Sequence, residues 1–381
     1  MIIAVDCRPL MGGKLSGVEL YTLHLLAHIL RIDKQNRYVL FMNASSAQLH
    51  HLDRFTQANV FKVQTRIPNK ILNFCLFLFK WPRLDQLIIK SLKNEDIKKI
   101  DVIFLPDLRP FAVSGKVKTI GVVHDLSFHH FPAFFSIKTR VWHRLLNARK
   151  LIKKLDSVIT VSNFTKNDIV KTFQIDPEKI SAIHEGIEND FCAGIDDQKS
   201  AQIRAKYNLP ANYFLFLSTL EPRKNLARII EAFKLYKQNH PDDLKLVLVG
   251  KPSNIFSELH IEKHPDIVLT GFVEEGDKKY LFHLAKAFLY PSIFEGFGLP
   301  LLEAMKCGTP IITSQTSSMP EVCANAALYV DPLSIAEIAE TMHQIQEPET
   351  VSKLKSKMVS RIQAFSWDKC AAETLKVITS I

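Results

Sequence analysis

Several features that mark particular protein classes are missing from this chain of 381 residues. Its six cysteines form no CxxC pair, and their spacing fits neither a zinc site nor a disulfide framework. This usage predicts free, mostly buried thiols in a reducing compartment. No basic segment followed by a long apolar stretch opens the sequence, so we expect no signal peptide. The most apolar run, ILNFCLFLF at residues 71–79, is shorter than the roughly 20 residues of a membrane span.

Charge of neither sign dominates. Lysine and arginine total 49 against 39 aspartates and glutamates, which gives a net charge of +10. This excess favours an anionic partner, such as nucleic acid, a phosphorylated small molecule or an anionic membrane, but it also fits a merely solubilising surface. No nucleic-acid-binding module and no aromatic-rich RNA-binding strand is visible, so no nucleic-acid partner is expected.

Apolar, β-rich runs alternate with helical patterns in two blocks, which predicts parallel sheets with helical crossovers. The helical patterns at residues 17–30 and 137–155 carry apolar side chains at three- and four-residue spacing. The predicted strands are residues 2–6, 38–42, 101–105, 119–124 and 157–161 in the first block, and 213–219, 244–250, 267–272, 287–290, 310–313 and 328–330 in the second.

The fold class predicted from this alternation is α/β with two facing Rossmann-like domains and a cleft between them. A polar stretch at residues 186–206 without a strand pattern marks the seam. We therefore expect an N-terminal domain over residues 1–186 and a C-terminal domain over residues 187–364. Residues 365–381 are predicted to form a helix that packs back on the N-terminal domain.

The most informative motif is SIFEGFGLPLLEA at residues 292–304, directly after a predicted buried strand. Gly296 and Gly298 permit a tight loop, and Pro300 suits the first turn of a helix. The backbone N–H groups of such a loop and helix start form a site for an anion. Glu295 in the loop and Glu303 in the helix could orient sugar hydroxyls and a ribose. The alternative is a plain turn followed by an acidic helix start.

A second motif, STLEPRKN at residues 218–225, ends the first strand of the second block. Arg223 and Lys224 would lie at a strand end close to a helix start. There they could bind a diphosphate and stabilise it as it departs. The alternative is two solvated basic residues on a turn.

Together, these two motifs resemble family 4 of the retaining glycosyltransferases, which have the GT-B fold. The resemblance implies that Lys224 contacts the diphosphate of a nucleotide-sugar donor. It also implies that Glu303 holds the ribose, that Glu295 holds the donor sugar, and that the backbone of Gly296, Phe297, Gly298 and Leu299 cradles sugar and phosphate. Many members carry an arginine at the position of Thr219, and Arg223 is a candidate to replace it.

The first block matches the family more weakly. The segment RPLMGGKLSG at residues 8–17 contains Gly12, Gly13 and Gly17, which permit close approach of a ligand. The resemblance makes Gly17 the donor- or acceptor-facing position, while a flexible connection is the alternative. His124 ends a predicted strand and resembles the family's active-site histidine that contacts the donor sugar. A structural role is its alternative.

The resemblance implies a hexosyltransferase that uses no metal and no cofactor, because the departing phosphate can accept the acceptor's proton. The two carboxylates alone would also suit a glycoside hydrolase, which would leave the basic pair unexplained. The same fold would also suit a nucleotide-sugar epimerase, a phosphorylase or a non-catalytic scaffold protein.

GDP-mannose is the first expectation for the donor, since the strings at residues 8–17 and 219–225 resemble those of bacterial O-antigen and capsule mannosyltransferases. UDP-sugars remain open. The expected acceptor is a glycan or a lipid-linked glycan. Basic residues beside the apolar run at 71–79 and along residues 137–155 fit peripheral contact with an anionic membrane. They also fit a solvated helix face. The expected location is the cytoplasm or the inner face of the cell membrane.

Overall fold

The protein is described by a computed structural model that covers residues 1–12, 17–43, 50–92, 96–250 and 264–381. The chain forms two compact units. The first comprises Met1–Leu126, Ile137–Glu185 and Trp367–Ile381, and the second comprises Ser127–Ser136 and Gly186–Ser366. Each unit is built on one parallel sheet flanked by helices, which confirms the prediction of an α/β chain with two Rossmann-like domains.

Strands and helices alternate through both units. Within the described ranges, the strands are β1 (Ile2–Asp6), β2 (Arg37–Asn43), β3 (Val60–Thr65), β4 (Val102–Leu105), β5 (Lys118–Val123), β6 (Ser157–Thr160), β7 (Ile180–Ala182), β8 (Tyr213–Leu217), β9 (Lys245–Val249), β10 (Ile267–Gly271), β11 (Ala287–Tyr290), β12 (Ile311–Ser314) and β13 (Leu328–Val330). The helices are α1 (Gly17–Ile32), α2 (His50–Asp53), α3 (Asn69–Leu78), α4 (Leu84–Ser91), α5 (Ser127–His130), α6 (Ile137–Leu146), α7 (Ala148–Lys154), α8 (Asn163–Phe173), α9 (Asp197–Lys206), α10 (Leu226–Asn239), α11 (Lys278–Leu284), α12 (Leu299–Lys306), α13 (Met319–Cys323), α14 (Ile335–Gln344), α15 (Pro348–Ile362) and α16 (Trp367–Thr379).

The first unit contains a seven-stranded sheet in the order β3-β2-β1-β4-β5-β6-β7, with every pair of neighbours parallel. Its central strands are apolar and buried, as strands covered on both faces must be. Strand β4, for example, reads VIFL with all four residues buried. The C-terminal helix α16 belongs to this unit, where Trp367 lies against Tyr21 of α1 with ring centroids 5.9 Å apart.

The second unit contains a six-stranded parallel sheet in the order β10-β9-β8-β11-β12-β13. The chain runs outward from β8 to β10 and then returns to the other side of β8 with β11. Strands β8 and β11 are therefore neighbours at which the strand order reverses. In open α/β sheets, ligands bind beyond the carboxyl ends of the strands at such a point.

Two local expectations are corrected by the structure. The helix predicted over residues 137–155 is two helices, α6 and α7, because Asn147 adopts a left-handed conformation with φ 48° and caps α7 through its side chain. The expectation of free thiols fails for one pair, since Cys192 and Cys307 form a disulfide with their Cα atoms 5.4 Å apart. Cys7, Cys75, Cys323 and Cys370 are free.

None of the helices in the described ranges is long and apolar enough to cross a membrane.

Candidate active site

Two loops meet at the carboxyl ends of β8 and β11 in the second unit. After β8 the chain forms a short 3-10 helix, Pro222–Lys224, before α10 begins. After β11 it forms the glycine-containing loop that leads into α12. The backbone N–H of Ile293 donates to the carbonyl oxygen of Arg223 at 2.8 Å, which joins the two loops directly. The parallel topology thus unites motifs that are about 70 residues apart.

Lys224 is the buried cation of this meeting point, with a relative exposure of 6%. Its Nζ donates to the Tyr290 hydroxyl and to Glu295 Oε1, each at 2.6 Å. Burial, and then the charge of Arg223, lowers the pKa of Lys224 below its usual value. An ammonium group has three donors, and these two contacts use two of them.

Glu295 is the anion that both basic residues share, and only 4% of it is exposed. Its Oε2 accepts from Arg223 at 2.7 Å, while Arg223 Nε donates to Glu221 at 2.9 Å. Burial alone would raise the pKa of Glu295, but the charges of Arg223 and Lys224 hold it at about 2. The carboxylate therefore stays ionised and fixes the two cations side by side.

The loop from Glu295 to the start of α12 is held in place by Ser318. The Ser318 hydroxyl donates to the carbonyl oxygens of Glu295 and Phe297 at 3.0 and 2.9 Å. Gly298 precedes the helix with φ +106°, a conformation that side chains rarely adopt, and no side-chain hydrogen bond caps α12. The positive end of the helix dipole is thus directed at the loop that carries Glu295.

Glu303 is the fifth residue of α12 and is 7% exposed. Its Oε1 lies 3.9 Å from Nζ of Lys278, the first residue of α11. Burial would lower the pKa of Lys278, but the charges of Glu303 and Glu275 raise it. Glu303 and Lys278 therefore form a second charged pair within the same unit.

Asn225 and Lys278 are residues of this region to which the sequence analysis gave no role. Asn225 is buried and donates through Nδ2 to the carbonyl oxygens of Pro291 and Pro332, at 3.0 and 2.6 Å. It ties together the loops that follow β8, β11 and β13. The signal for Asn225 was its place in the EPRKN string. Nothing in the sequence pairs Lys278 with Glu303, 25 positions away.

Gly17 and His124 belong to the first unit and not to the unit that holds the charged cluster. Gly17 is exposed at the start of α1, where an added Cβ would meet no atom within 4 Å. Gly12 ends a 3-10 helix, and Gly13 lies outside the described residues. The sequence pattern predicts one ligand-binding loop that contains all three glycines.

His124 directly follows β5, and both of its ring nitrogens face protein oxygens. Its Nε2 donates to the carbonyl oxygen of Pro106 at 2.9 Å, and its Nδ1 lies 3.8 Å from Oε1 of the buried Glu185. Tyr21 lies edge-on to the imidazole at 4.9 Å. Burial would lower the pKa of His124, but Glu185 raises it above its usual value. The two oxygens therefore hold the imidazole in a fixed orientation.

In chemical terms, the second unit offers two adjacent cations, a helix start and two ionised or ion-paired carboxylates at one sheet edge. Cations and backbone N–H groups suit the binding of a phosphate or diphosphate. Carboxylates suit the hydroxyls of a sugar or ribose. The fold and the site together define an α/β enzyme suited to a phosphorylated sugar or nucleotide.

Comparison with known families agrees with this chemistry. The model described as Glycosyltransferase Family 4 matches residues 15–191, and the model described as Glycosyl transferases group 1 matches residues 199–364. Together they account for most of the chain, which therefore belongs to the family 4 glycosyltransferases. The predicted family and the predicted glycosyltransferase activity are confirmed.

Curated relatives include several mannosyltransferases. O-antigen chain mannosyltransferase B of Escherichia coli is 28% identical over 68% of this chain and 69% of its own length. O-antigen chain mannosyltransferase RfbU of Salmonella typhimurium is 31% identical over 61% of this chain and 63% of its own. The match to the serotype-specific mannosyltransferase WbdA of E. coli is 27% identical and spans only 30% of that protein.

Solved structures show the same fold. HepE of Anabaena, in complex with UDP and glucose, has a TM-score of 0.72 at 17% identity, with all of both chains covered. WaaG, a glycosyltransferase involved in lipopolysaccharide biosynthesis, has a TM-score of 0.70 at 14% identity, again over both whole chains. These likenesses support the predicted GT-B architecture of two Rossmann-like domains.

Proposed function

We propose that this chain is a retaining mannosyltransferase that uses GDP-mannose and acts on a glycan or lipid-linked acceptor in the synthesis of a cell-surface polysaccharide. The observation that carries the proposal is the cluster of Lys224, Arg223 and Glu295 at the adjoining ends of β8 and β11, beside the start of α12. The names of the O-antigen relatives support the sugar and the pathway. UDP-sugars are the alternative donors, since HepE was crystallised with UDP-glucose.

The second unit is the donor-binding domain in this proposal. Lys224, Arg223 and the backbone N–H groups at the start of α12 contact the diphosphate. Glu303 accepts hydrogen bonds from the ribose hydroxyls, and Glu295 accepts hydrogen bonds from the donor sugar through lone pairs that its two cations leave unused. The backbone of residues 296–299 lies along sugar and phosphate. A carboxylate oriented by two cations is pre-organised for such contacts.

Transfer then exchanges one bond to the anomeric carbon for another. The bond between sugar C1 and the β-phosphate oxygen breaks, and its electron pair stays with the phosphate. The acceptor hydroxyl forms the new bond on the same face, and its proton passes to the departing phosphate oxygen. Lys224 and Arg223 stabilise the charge that develops on the diphosphate. This step requires no metal ion and no nucleophile from the protein.

The first unit is the acceptor-side domain in this proposal. His124 contacts the donor sugar, and Gly17 is the donor- or acceptor-facing start of α1. The pair with Glu185 supports this role for His124, because it holds the imidazole in one orientation and favours its charged form.

A nucleotide-sugar panel tests the proposal. We expect GDP-mannose to raise the melting temperature more than UDP-sugars do, and to support transfer to a mannose-containing acceptor. The anomeric configuration of the product, followed by NMR from the first turnover, should equal that of the donor. A product of inverted configuration would contradict the retaining mechanism. Transfer from UDP-sugars alone would contradict GDP-mannose as the donor.

The same experiment separates an epimerase and a scaffold protein from the proposed transferase. An epimerase converts the donor in the absence of any acceptor, whereas the proposed transferase does not. A non-catalytic scaffold binds the donor without turnover, and Lys224→Ala would then change binding but no rate.

We also propose that the first unit rests peripherally on the inner, anionic face of the cell membrane. Helix α3 and the residues that follow it expose apolar side chains at helical spacing, ending with Phe79 and Trp81 at 64% and 66% exposure. Helix α6 exposes a second stripe: Ile137, Val141 and Leu145.

Basic residues border both stripes, which supports an anionic lipid surface as the partner. Lys70, Lys80 and Arg83 flank α3, and Lys138 and Arg140 lie on α6. Burial and the charge of Lys80 lower the pKa of Lys154 at the end of α7, which places a further basic residue of this unit near Lys80. Each basic residue near an anionic surface contributes about 1 kcal/mol to binding.

Vesicle sedimentation tests this surface. We expect the protein to sediment with vesicles of phosphatidylcholine and phosphatidylglycerol, and not with phosphatidylcholine alone. Replacing Phe79 and Trp81 with serine should abolish sedimentation. Val359→Ser is the matched control, because Val359 is 68% exposed on α15 of the other unit. Equal loss of sedimentation in the Val359→Ser control would refute the proposed membrane-binding surface. Equal sedimentation with both kinds of vesicle would refute it too.

A further inference from the structure

Lys278 is a largely buried cation that none of the steps above uses. It is the first residue of α11, and its Nζ lies 2.7 Å from Glu275 Oε2 and 3.9 Å from Glu303 Oε1. Glu275 is three residues earlier in the chain and is half exposed, whereas the Glu303 side chain is only 10% exposed. The Lys278 ammonium thus donates a hydrogen bond to the half-exposed Glu275 and lies near the buried carboxylate of Glu303.

The two distances have different consequences. At 2.7 Å the contact with Glu275 is a charge-assisted hydrogen bond, but at 3.9 Å the contact with Glu303 is an ion pair beyond hydrogen-bonding distance. Lys278 therefore supplies a positive charge to Glu303 without donating a hydrogen bond to Oε1. A carboxylate that faces a counter-charge at this distance keeps the lone pairs of Oε1 available for the hydroxyls of a ribose.

We propose that Lys278 is a positioning residue whose positive charge holds the Glu303 carboxylate in place for the ribose of the donor nucleotide. This inference rests on the proposed function, because the ribose contact of Glu303 is part of it. Glu275 restrains Lys278 in turn. If the ammonium moved close enough to donate to Glu303, it would compete with the ribose for the same oxygen.

The experiment compares ribose and dideoxyribose nucleotides on the full chain. GDP and 2′,3′-dideoxy-GDP are titrated calorimetrically, with UDP and its dideoxy form in parallel. Lys278→Met should weaken binding of the ribose nucleotide about fivefold, as expected of a partly screened ion pair. Binding of the dideoxy form should change less than about twofold, because the contact with Glu303 is already lost there. Lys278→Arg should restore the ribose preference.

The controls distinguish failure of the inference from failure of the proposed function. Lys286→Met removes the same charge from an exposed site in this unit and should leave both affinities unchanged. Glu303→Ala should abolish the ribose preference; if it does not, the donor-site assignment fails whatever Lys278 does. If Glu303→Ala has that effect and Lys278→Met does not alter the preference, the inference is overturned.

Two further outcomes of the Lys278 variants are decisive. Equal loss for both nucleotides would show a structural role, and tighter ribose binding would show that Lys278 competes for Glu303. Each of these results overturns the inference. Should Lys278→Met fail to fold, as judged by its circular dichroism melt, Lys278→Gln replaces it in every titration.

Discussion

The substitution Lys224→Met removes the cation at the centre of the site while keeping most of its side-chain length. It abolishes two hydrogen bonds of 2.6 Å, to Tyr290 and to Glu295. If Lys224 stabilises the departing diphosphate, kcat should fall by roughly 10²–10³-fold, the usual effect of removing one group that stabilises charge in a transition state. The KM for the donor should rise less, because Arg223 and the start of α12 remain.

The same substitution should destabilise the fold, since Glu295 is left with Arg223 as its only strong counter-charge in the cluster. Breaking a buried pair costs about 3–5 kcal/mol, and the remaining contact with Arg223 should reduce this to about 2–3 kcal/mol. Adding Glu295→Gln to Lys224→Met removes the uncompensated charge. The double variant should regain most of the free energy of unfolding but no transfer activity.

Urea unfolding and steady-state transfer assays on the same preparations separate these effects. In the double variant, the free energy of unfolding should recover while the transfer rate stays low. Full activity in Lys224→Met would refute the role assigned to the ammonium. Recovery of transfer in the double variant would show that Lys224 acts only by holding the fold.

Three further predictions concern pKa values and backbone geometry. Folding lowers the pKa of Glu295 from 4.5 to about 2, so its ionised form stabilises the fold above pH 4.5 by about 3 kcal/mol at most. That contribution is lost as the pH falls from 4.5 toward 2. In this pH range, the free energy of unfolding of the wild type, measured in urea, should approach that of Glu295→Gln. Glu185→Gln should lower the pKa of His124, measured by NMR titration of the imidazole, and an unchanged value would exclude the pairing. Gly298→Ala places a side chain at φ +106° and should cost about 1–2 kcal/mol of unfolding free energy, measured in urea.

The strands were predictable where they carry an uninterrupted apolar run, at the centre of a sheet and also at its edges in β10 and β13. Strands β1, β11 and β13 have the bounds that the apolar runs indicated, and most other predicted ends differ by one or two residues. Strand β3, VFKVQT, was missed because it is a half-buried edge strand in which polar residues interrupt the apolar pattern. Strand β7 was missed because three residues, ISA, carry too little pattern to recognise.

The candidate site was also predictable only in part. Strings of neighbouring residues, such as EPRKN and EGFG, are visible in a sequence, and their family resemblance pointed to Lys224 and Glu295. The direct bond between these two side chains was not predictable, because it depends on β11 returning to lie beside β8. The roles of Asn225 and Lys278 were not predictable for the same reason, since their partners come from elements distant in the chain.

The topology also supports the proposed anion site independently of which sugar the donor carries. Strands β8 and β11 end at one edge of the sheet, and α10 and α12 begin just beyond them, so two helix starts add their positive partial charge to that of Lys224 and Arg223. Glu295 neutralises part of this charge, which limits the cost of burying it. In the proposed function, phosphate affinity is therefore a property of the fold and its two strand-end loops. Discrimination between donors must then come from residues outside this cluster that contact the base or the sugar, because the ribose proposed as the partner of Glu303 is common to GDP- and UDP-sugars.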